Sequence, residues 1–132
     1  MNAMRRVLAL LESGQQVIIF PEGTRSDDGK LQRGKPGVAF LASRSGVPIV
    51  PIAHYGGEEL ARNVRSLRRT AFNIVVGDPF HVETQGARVT AAVRQQVTDE
   101  MMFRLAALLP PQYRGEYARA GEATSYYLHG LN

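Results

Sequence analysis

The sequence predicts an α/β domain, with a mixed or mostly parallel sheet flanked by helices. Three observations predict it. Apolar residues recur at helical spacing in three stretches, short β-branched runs lie between them, and the order is helix, strand, helix, strand, strand, helix. Strands separated by helices imply layers of both kinds packed on one core.

Met4, Val7, Leu8 and Leu11 form the first apolar stripe, and Gly14 stops that helix. Val17-Ile-Ile-Phe20 is apolar throughout, the pattern of a strand buried on both faces, and Pro21 ends it. Ser26-Asp-Asp-Gly29 is turn chemistry. Pro36 suits the first position of a second helix, with Val38, Leu41 and Ala42 inward and Gly46 closing it. Val47–Ala53 reads as a strand, but Pro48 and Pro51 cannot donate to a ladder, so an edge or bent strand is expected. Asn73–Val76 is a third strand, ended by Gly77-Asp-Pro79. Val93, Val97, Met101, Leu105 and Leu108 mark a long helix that stops at Pro110-Pro111. These features divide the chain into a domain over 1–111 and a tail over 112–132, the tail expected to be weakly ordered.

The chain has 132 residues, 44% of them hydrophobic: enough for one domain or a piece of a larger one. It has no cysteine, which excludes disulfides, thiolate metal sites and a thiol nucleophile, and fits a reducing cytosolic setting. No apolar run approaches the ~18 residues of a membrane span. Met1–Leu11 carries Arg5 and Arg6, but its apolar stretch is short and Glu12 follows, unlike a signal peptide. The expectation is a protein that is soluble or lies on a membrane surface. Of 16 basic residues 14 are arginine, and the net charge is +4. Arginine forks onto phosphate oxygens, so the bias suits phosphorylated ligands; a GC-rich genome gives the same bias.

The informative segment is Phe20-Pro-Glu-Gly-Thr-Arg-Ser26, at the C-terminal end of a strand, where open α/β sheets bind ligands. Gly23 lets a ligand approach the backbone, and consecutive amides there can cradle an anion. Arg25 supplies a charged fork; Glu22 accepts from a hydroxyl or holds Arg25. Lys30, Arg33 and Lys35 add charge before the helix that opens at Pro36, whose N-terminus also favours an anion. From the residues alone this reads as a phosphate site; a solvated turn with a Glu22–Arg25 surface pair has the same spacing. Gly29-Lys-Leu-Gln-Arg-Gly-Lys35 has P-loop spacing, but Pro36 stands where a Mg²⁺-binding hydroxyl is required, and nucleotide hydrolysis is rejected. Arg62, Arg65, Arg68 and Arg69 suit anionic headgroups or donor phosphates, or form a solvated face; without interleaved aromatics they do not point to nucleic acid.

All seven residues of Phe20–Ser26 match the Phe-Pro-Glu-Gly-Thr-Arg-Ser block that marks the glycerolipid acyltransferases, the 1-acylglycerol-3-phosphate acyltransferase family. Val47-Pro-Ile-Val-Pro-Ile52 resembles that family's next block in register, Arg33-Gly-Lys-Pro-Gly37 fits between them, and Leu109-Pro-Pro-Gln-Tyr-Arg-Gly115 is similar to the end of bacterial members. The likeness spans roughly Leu8 to Tyr117. It implies a partial acyltransferase domain in which Glu22, Gly23, Thr24 and Arg25 bind the acceptor's phosphate and glycerol, with Lys35 in support. Val47–Ile52 would shape the floor near the donor. The implied reaction moves a fatty acyl group from an acyl-CoA or acyl-carrier-protein thioester to a lysophosphatidate-like acceptor in phospholipid biosynthesis, with no metal and no bound cofactor. The resemblance places the protein in the cytoplasm, peripheral at the inner face of the membrane, with no nucleic-acid partner.

The family's His-x-x-x-x-Asp block, which supplies the general base, is not in this sequence: the 19 residues before Phe20 hold no histidine and no aspartate. The expectation is that the N-terminal part of the family domain is absent, that this chain is inactive alone, and that it self-associates through a sheet edge left uncovered. A non-catalytic phospholipid- or phosphate-binding module is the alternative. His54, five residues before Glu59, nearly copies the catalytic pattern with the wrong acid and in the wrong place. His81 is assigned no acidic partner, and His129 no role.

Overall fold

The computed structural model describes residues 2–131. Helix α1 (Ala3–Glu12) begins where the Asn2 side chain accepts from the Met4 N–H at 3.1 Å, satisfying one of the helix's orphan donors. Helix α2 (Gly37–Ser45) follows Pro36 and ends at Gly46, whose φ of 63° is the left-handed cap that glycine adopts most readily. The two helices touch where the Met4 side chain fills the space left by Gly37. Ala39, Leu41 and Ala42 are the buried side of α2, Ala39 taking the place of the expected Val38, which is only partly buried against the core.

Strand β1 (Ile52–Tyr55) and strand β2 (Asn73–Val76) pair antiparallel, Ile52 opposite Val76 and Tyr55 opposite Asn73. A short helix, α3 (Leu60–Arg65), lies in the connection between them. Strand β3 (Phe80–Val82) pairs antiparallel with β4 (Leu128–Gly130), and Ile49 adds a single bridge to Phe80. Helix α4 (Ala91–Ala107) starts with the Thr90 hydroxyl accepting from the Val93 N–H at 3.2 Å. The main core gathers Ala39 and Ala42 of α2, Phe80 and Val82 of β3, Leu128 of β4, and Val97 and Met101 of α4. Met102, Ala106 and Tyr117 form a second cluster on the other flank of α4.

The α/β class holds, with three corrections. Both sheets are two-stranded and antiparallel, not mostly parallel. A parallel pair would have needed Val17–Phe20 and Val47–Ala53 side by side across α2. Val17–Phe20 is extended but joins no ladder among the described residues. Nor is that run buried on both faces, since Ile18 is 84% and Phe20 72% exposed. Uniform apolarity records a tendency to be buried, and here no neighbouring layer meets it.

The tail segment carries β4 and is bonded to α4. Glu100, only 1% exposed, uses both carboxylate oxygens to hold it. One accepts from the Thr124 hydroxyl (2.7 Å) and the Tyr126 N–H (2.9 Å), the other from the Tyr127 N–H (3.0 Å). A buried carboxylate satisfied in this way makes a specific anchor. It delivers Leu128 to the core beside β3.

Candidate functional site

Phe20–Arg25 is a turn strapped to the segment that leads into α2. The Gly23 N–H donates to the Phe20 carbonyl (3.1 Å), and the Lys35 N–H to the Pro21 carbonyl (2.8 Å). Glu22 turns inward and accepts from the Gln32 N–H at 2.7 Å. The Glu22–Arg25 surface pair therefore does not form. Glu22 works as a strap, while Thr24 and Arg25 are exposed and have no hydrogen-bond partner among the described residues.

Gly23 is required twice over. Its φ is +69°, and an added Cβ would lie 3.2 Å from Lys35 Cγ. The Lys35 side chain thus packs over the glycine, bringing its ammonium-bearing chain onto the same turn as Arg25. Lys35 also sits two residues before α2, so the cations and the helix N-terminus favour an anion in the same region. Beyond the turn, Asp28 accepts from Ser26 (2.8 Å) and from the Lys30 N–H (3.0 Å), and those bonds hold its carboxyl below the ordinary range.

The turn is buttressed from the other end of the chain, by residues the sequence reading gave no role. The Leu31 N–H donates to the Tyr113 carbonyl (3.0 Å) and the Glu116 N–H to the Leu31 carbonyl (3.1 Å). Gly34 donates to the Tyr117 hydroxyl (3.0 Å), which donates onward to Asp99 of α4 (2.8 Å). Burial, reinforced by the Asp99 carboxylate, pushes the Tyr117 phenol up to about 12. A Cβ on Gly34 would fall 2.6 Å from Thr98 Cγ2 and 2.7 Å from Met102 Cγ, so only glycine lets this strap lie on α4. Tyr113 donates to Glu58 (2.5 Å), a bond that keeps the Glu58 carboxyl low and the Tyr113 phenol high. The one signal available beforehand was the Leu109–Gly115 block, whose resemblance carried no residue roles.

None of the three histidines is hydrogen-bonded to the turn. His54 lies exposed on β1 and stacks on Phe72 at 5.5 Å, while Glu59 pairs with Arg62 instead. His81 does have an acidic partner: its Nε2 lies 2.7 Å from Glu83, because residues two apart on a strand share a face. His129 stacks on His81 across the β3–β4 pair at 5.9 Å. In the second block, Ile49 bridges to Phe80 and Pro51 is buried, while Val50 and Ile52 are exposed. Among the described residues no three histidine, aspartate or glutamate side chains converge as a metal site, and no helix is long and apolar enough to cross a membrane.

The family model described as Acyltransferase matches residues 1–55, the stretch that holds this glycine-centred, arginine-bearing turn and the helix it leads into. Over most of its length the chain is similar to a part of the glycerolipid acyltransferase domain. It is similar to a 1-acyl-sn-glycerol-3-phosphate acyltransferase of Pseudomonas aeruginosa, 32% identical over 104 residues, covering 79% of this chain and 40% of that protein. A relative of the same name from Chlamydomonas reinhardtii is 32% identical over 117 residues, 87% of this chain and 33% of that one. A chloroplastic one from Brassica napus is 44% identical over 55 residues, 42% of this chain and 16% of that one. The chain thus spans well under half the length of these relatives. No solved structure matches it.

Proposed function

We propose that this chain is the acceptor-binding part of an enzyme of phospholipid biosynthesis that transfers a fatty acyl group from acyl-CoA or acyl-carrier protein to a lysophosphatidate-like acceptor. One observation carries the reading. Glu22 is committed to the Gln32 amide, so the Arg25 guanidinium stays free beside an open glycine backbone and the Lys35 side chain. Gly23, Thr24, Arg25 and Lys35 would grip the acceptor's phosphate and glycerol, and Glu22 would add its second carboxylate oxygen as an acceptor for a glycerol hydroxyl. In the transfer the acceptor hydroxyl forms the new ester as the C–S bond breaks, and a base must take its proton. No histidine is hydrogen-bonded to the turn, so this chain by itself binds acceptor without turning it over.

The membrane surface, at the cytoplasmic inner face, is where such an acceptor and its enzyme meet. Self-association is a further part of the reading. Ile52, Ile74 and Val76 lie exposed on one face of the β1–β2 ribbon, which also has unpaired edges.

Calorimetric titration with glycerol 3-phosphate and with lysophosphatidate tests the site. Arg25→Ala is expected to weaken binding about tenfold to a hundredfold, the range of a lost charge-assisted hydrogen bond. Unchanged affinity contradicts the assignment. With acyl-CoA added, no turnover is expected from this chain alone, and turnover abolished by His54→Ala would overturn that. A turn with no histidine bonded to it also suits a non-catalytic phospholipid-binding module. Supplying a polypeptide with the His-x-x-x-x-Asp block separates the two, since only the enzyme reading predicts that turnover appears.

A further inference from the structure

We propose that the segment Leu60–Arg69, built around α3, is the face with which the protein docks on an anionic lipid bilayer. The proposal names the contact surface for the membrane reading given above and rests on it. Leu60 and Val64 are one helical turn apart and both are exposed, at 54% and 62%. Leu67 is 97% exposed.

The backbone at Leu67 carries most of the inference. Helix α3 ends in a double-bonded cap: the Leu67 N–H donates to the Val64 carbonyl (3.2 Å) and the Arg68 N–H to the Asn63 carbonyl (2.8 Å). The residue at the turn of such a cap must be left-handed, and glycine is favoured there. This chain has leucine, at φ 53°. The strained backbone gains no packing in return, because the side chain touches almost nothing in its own molecule. An apolar side chain held out at a strained tip finds its compensation in an apolar medium outside the protein.

Charge identifies that medium. Arg62 is paired with Glu59, but Arg65, Arg68 and Arg69 have no acidic partner among the described residues and flank Leu67 on both sides. Apolar tips ringed by free arginines match a surface with phosphates outside and hydrocarbon beneath. Nucleic acid would use the arginines and have no use for Leu67.

Vesicle co-sedimentation of the full chain tests this, comparing phosphatidylcholine mixed with phosphatidylglycerol against phosphatidylcholine alone. The wild type is expected to prefer the anionic vesicles, and Arg68→Gln with Arg69→Gln to lose about fivefold per arginine removed. Leu67→Gly separates docking from folding. It relieves the left-handed strain, so the melting temperature is expected to rise, while vesicle binding falls about tenfold. Wild-type binding by Leu67→Gly, or binding to duplex DNA that competes with vesicles and ignores Leu67, overturns the proposal. Vesicle binding lost everywhere while glycerol 3-phosphate still binds also overturns it, leaving the acceptor site standing. Arginine- and leucine-dependent vesicle binding without glycerol 3-phosphate binding leaves the docking face standing and removes the acceptor site.

Discussion

Glu22 accepts from the Gln32 amide in a half-buried setting, and with the Gly23–Phe20 and Lys35–Pro21 backbone bonds this contact shapes the turn that presents Arg25. A hydrogen bond to a charged acceptor contributes about 1.5–3 kcal/mol. In Glu22→Ala, hydrogen-exchange protection of the Gln32 amide should therefore fall about tenfold or more, while Glu22→Gln, which keeps an acceptor oxygen, recovers most of it. Tyr117 makes a second residue-scale prediction. Its folded pKa is raised from 10.0 to about 12. Its contribution is thus complete below about pH 10 and is lost as the pH rises toward 12. Thermal melts across that range should show the loss. Tyr117→Phe should flatten this alkaline decline, while lowering stability at neutral pH by about 1–3 kcal/mol because the buried Gly34 N–H loses its partner. The sequence alone was enough to propose Arg25 as a phosphate ligand. The duty of Glu22 was not, because its partner is a backbone amide ten residues on and amides leave no mark in a sequence.

The strap from Leu31 to Gly37 is the element on which the site depends, and Gly34 is its tightest point. Thr98 and Met102 are fully buried, so they have no free space into which to withdraw from an added methyl group. Gly34→Ala should cost about 1–3 kcal/mol by overpacking, read as a lower urea midpoint at unchanged slope. Helices were the most readable elements: α1, α2 and α4 fall where apolar periodicity, Gly14, Pro36, Gly46 and Pro110 place them. Strands were less so. Asn73–Val76 was legible from its β-branched run, whereas Phe80–Val82 and Leu128–Gly130 are three residues each. Segments that short carry no periodicity, and they pair only because α4 and Glu100 return the C-terminal segment to β3. Val17–Phe20 failed in the opposite way, since strong strand composition cannot report whether a neighbour lies alongside.

The whole molecule carries its polar and apolar surplus at the surface: Phe20, Ile74, Val76 and Leu67 are all exposed, and the net charge is +4. Exposed apolar strands with unpaired edges are sticky, so sedimentation velocity should show association that grows with concentration and recedes in Ile74→Lys/Val76→Lys. A monomer at every concentration contradicts the self-association reading. The α/β class could be read from apolar periodicity and the order of elements, and the proposed site from two short blocks, Phe20–Ser26 and Val47–Ile52. The buttress from Tyr113 to Tyr117 could not, because it reaches the turn only through the fold. The most direct test of the acceptor site is a titration of the ¹⁵N-labelled chain with glycerol 3-phosphate, followed by amide NMR. Saturating shifts centred on Gly23, Thr24, Arg25 and Lys35, and lost in Arg25→Ala, are the predicted result. Shifts that are absent from that turn, or that persist without the guanidinium, would contradict the account.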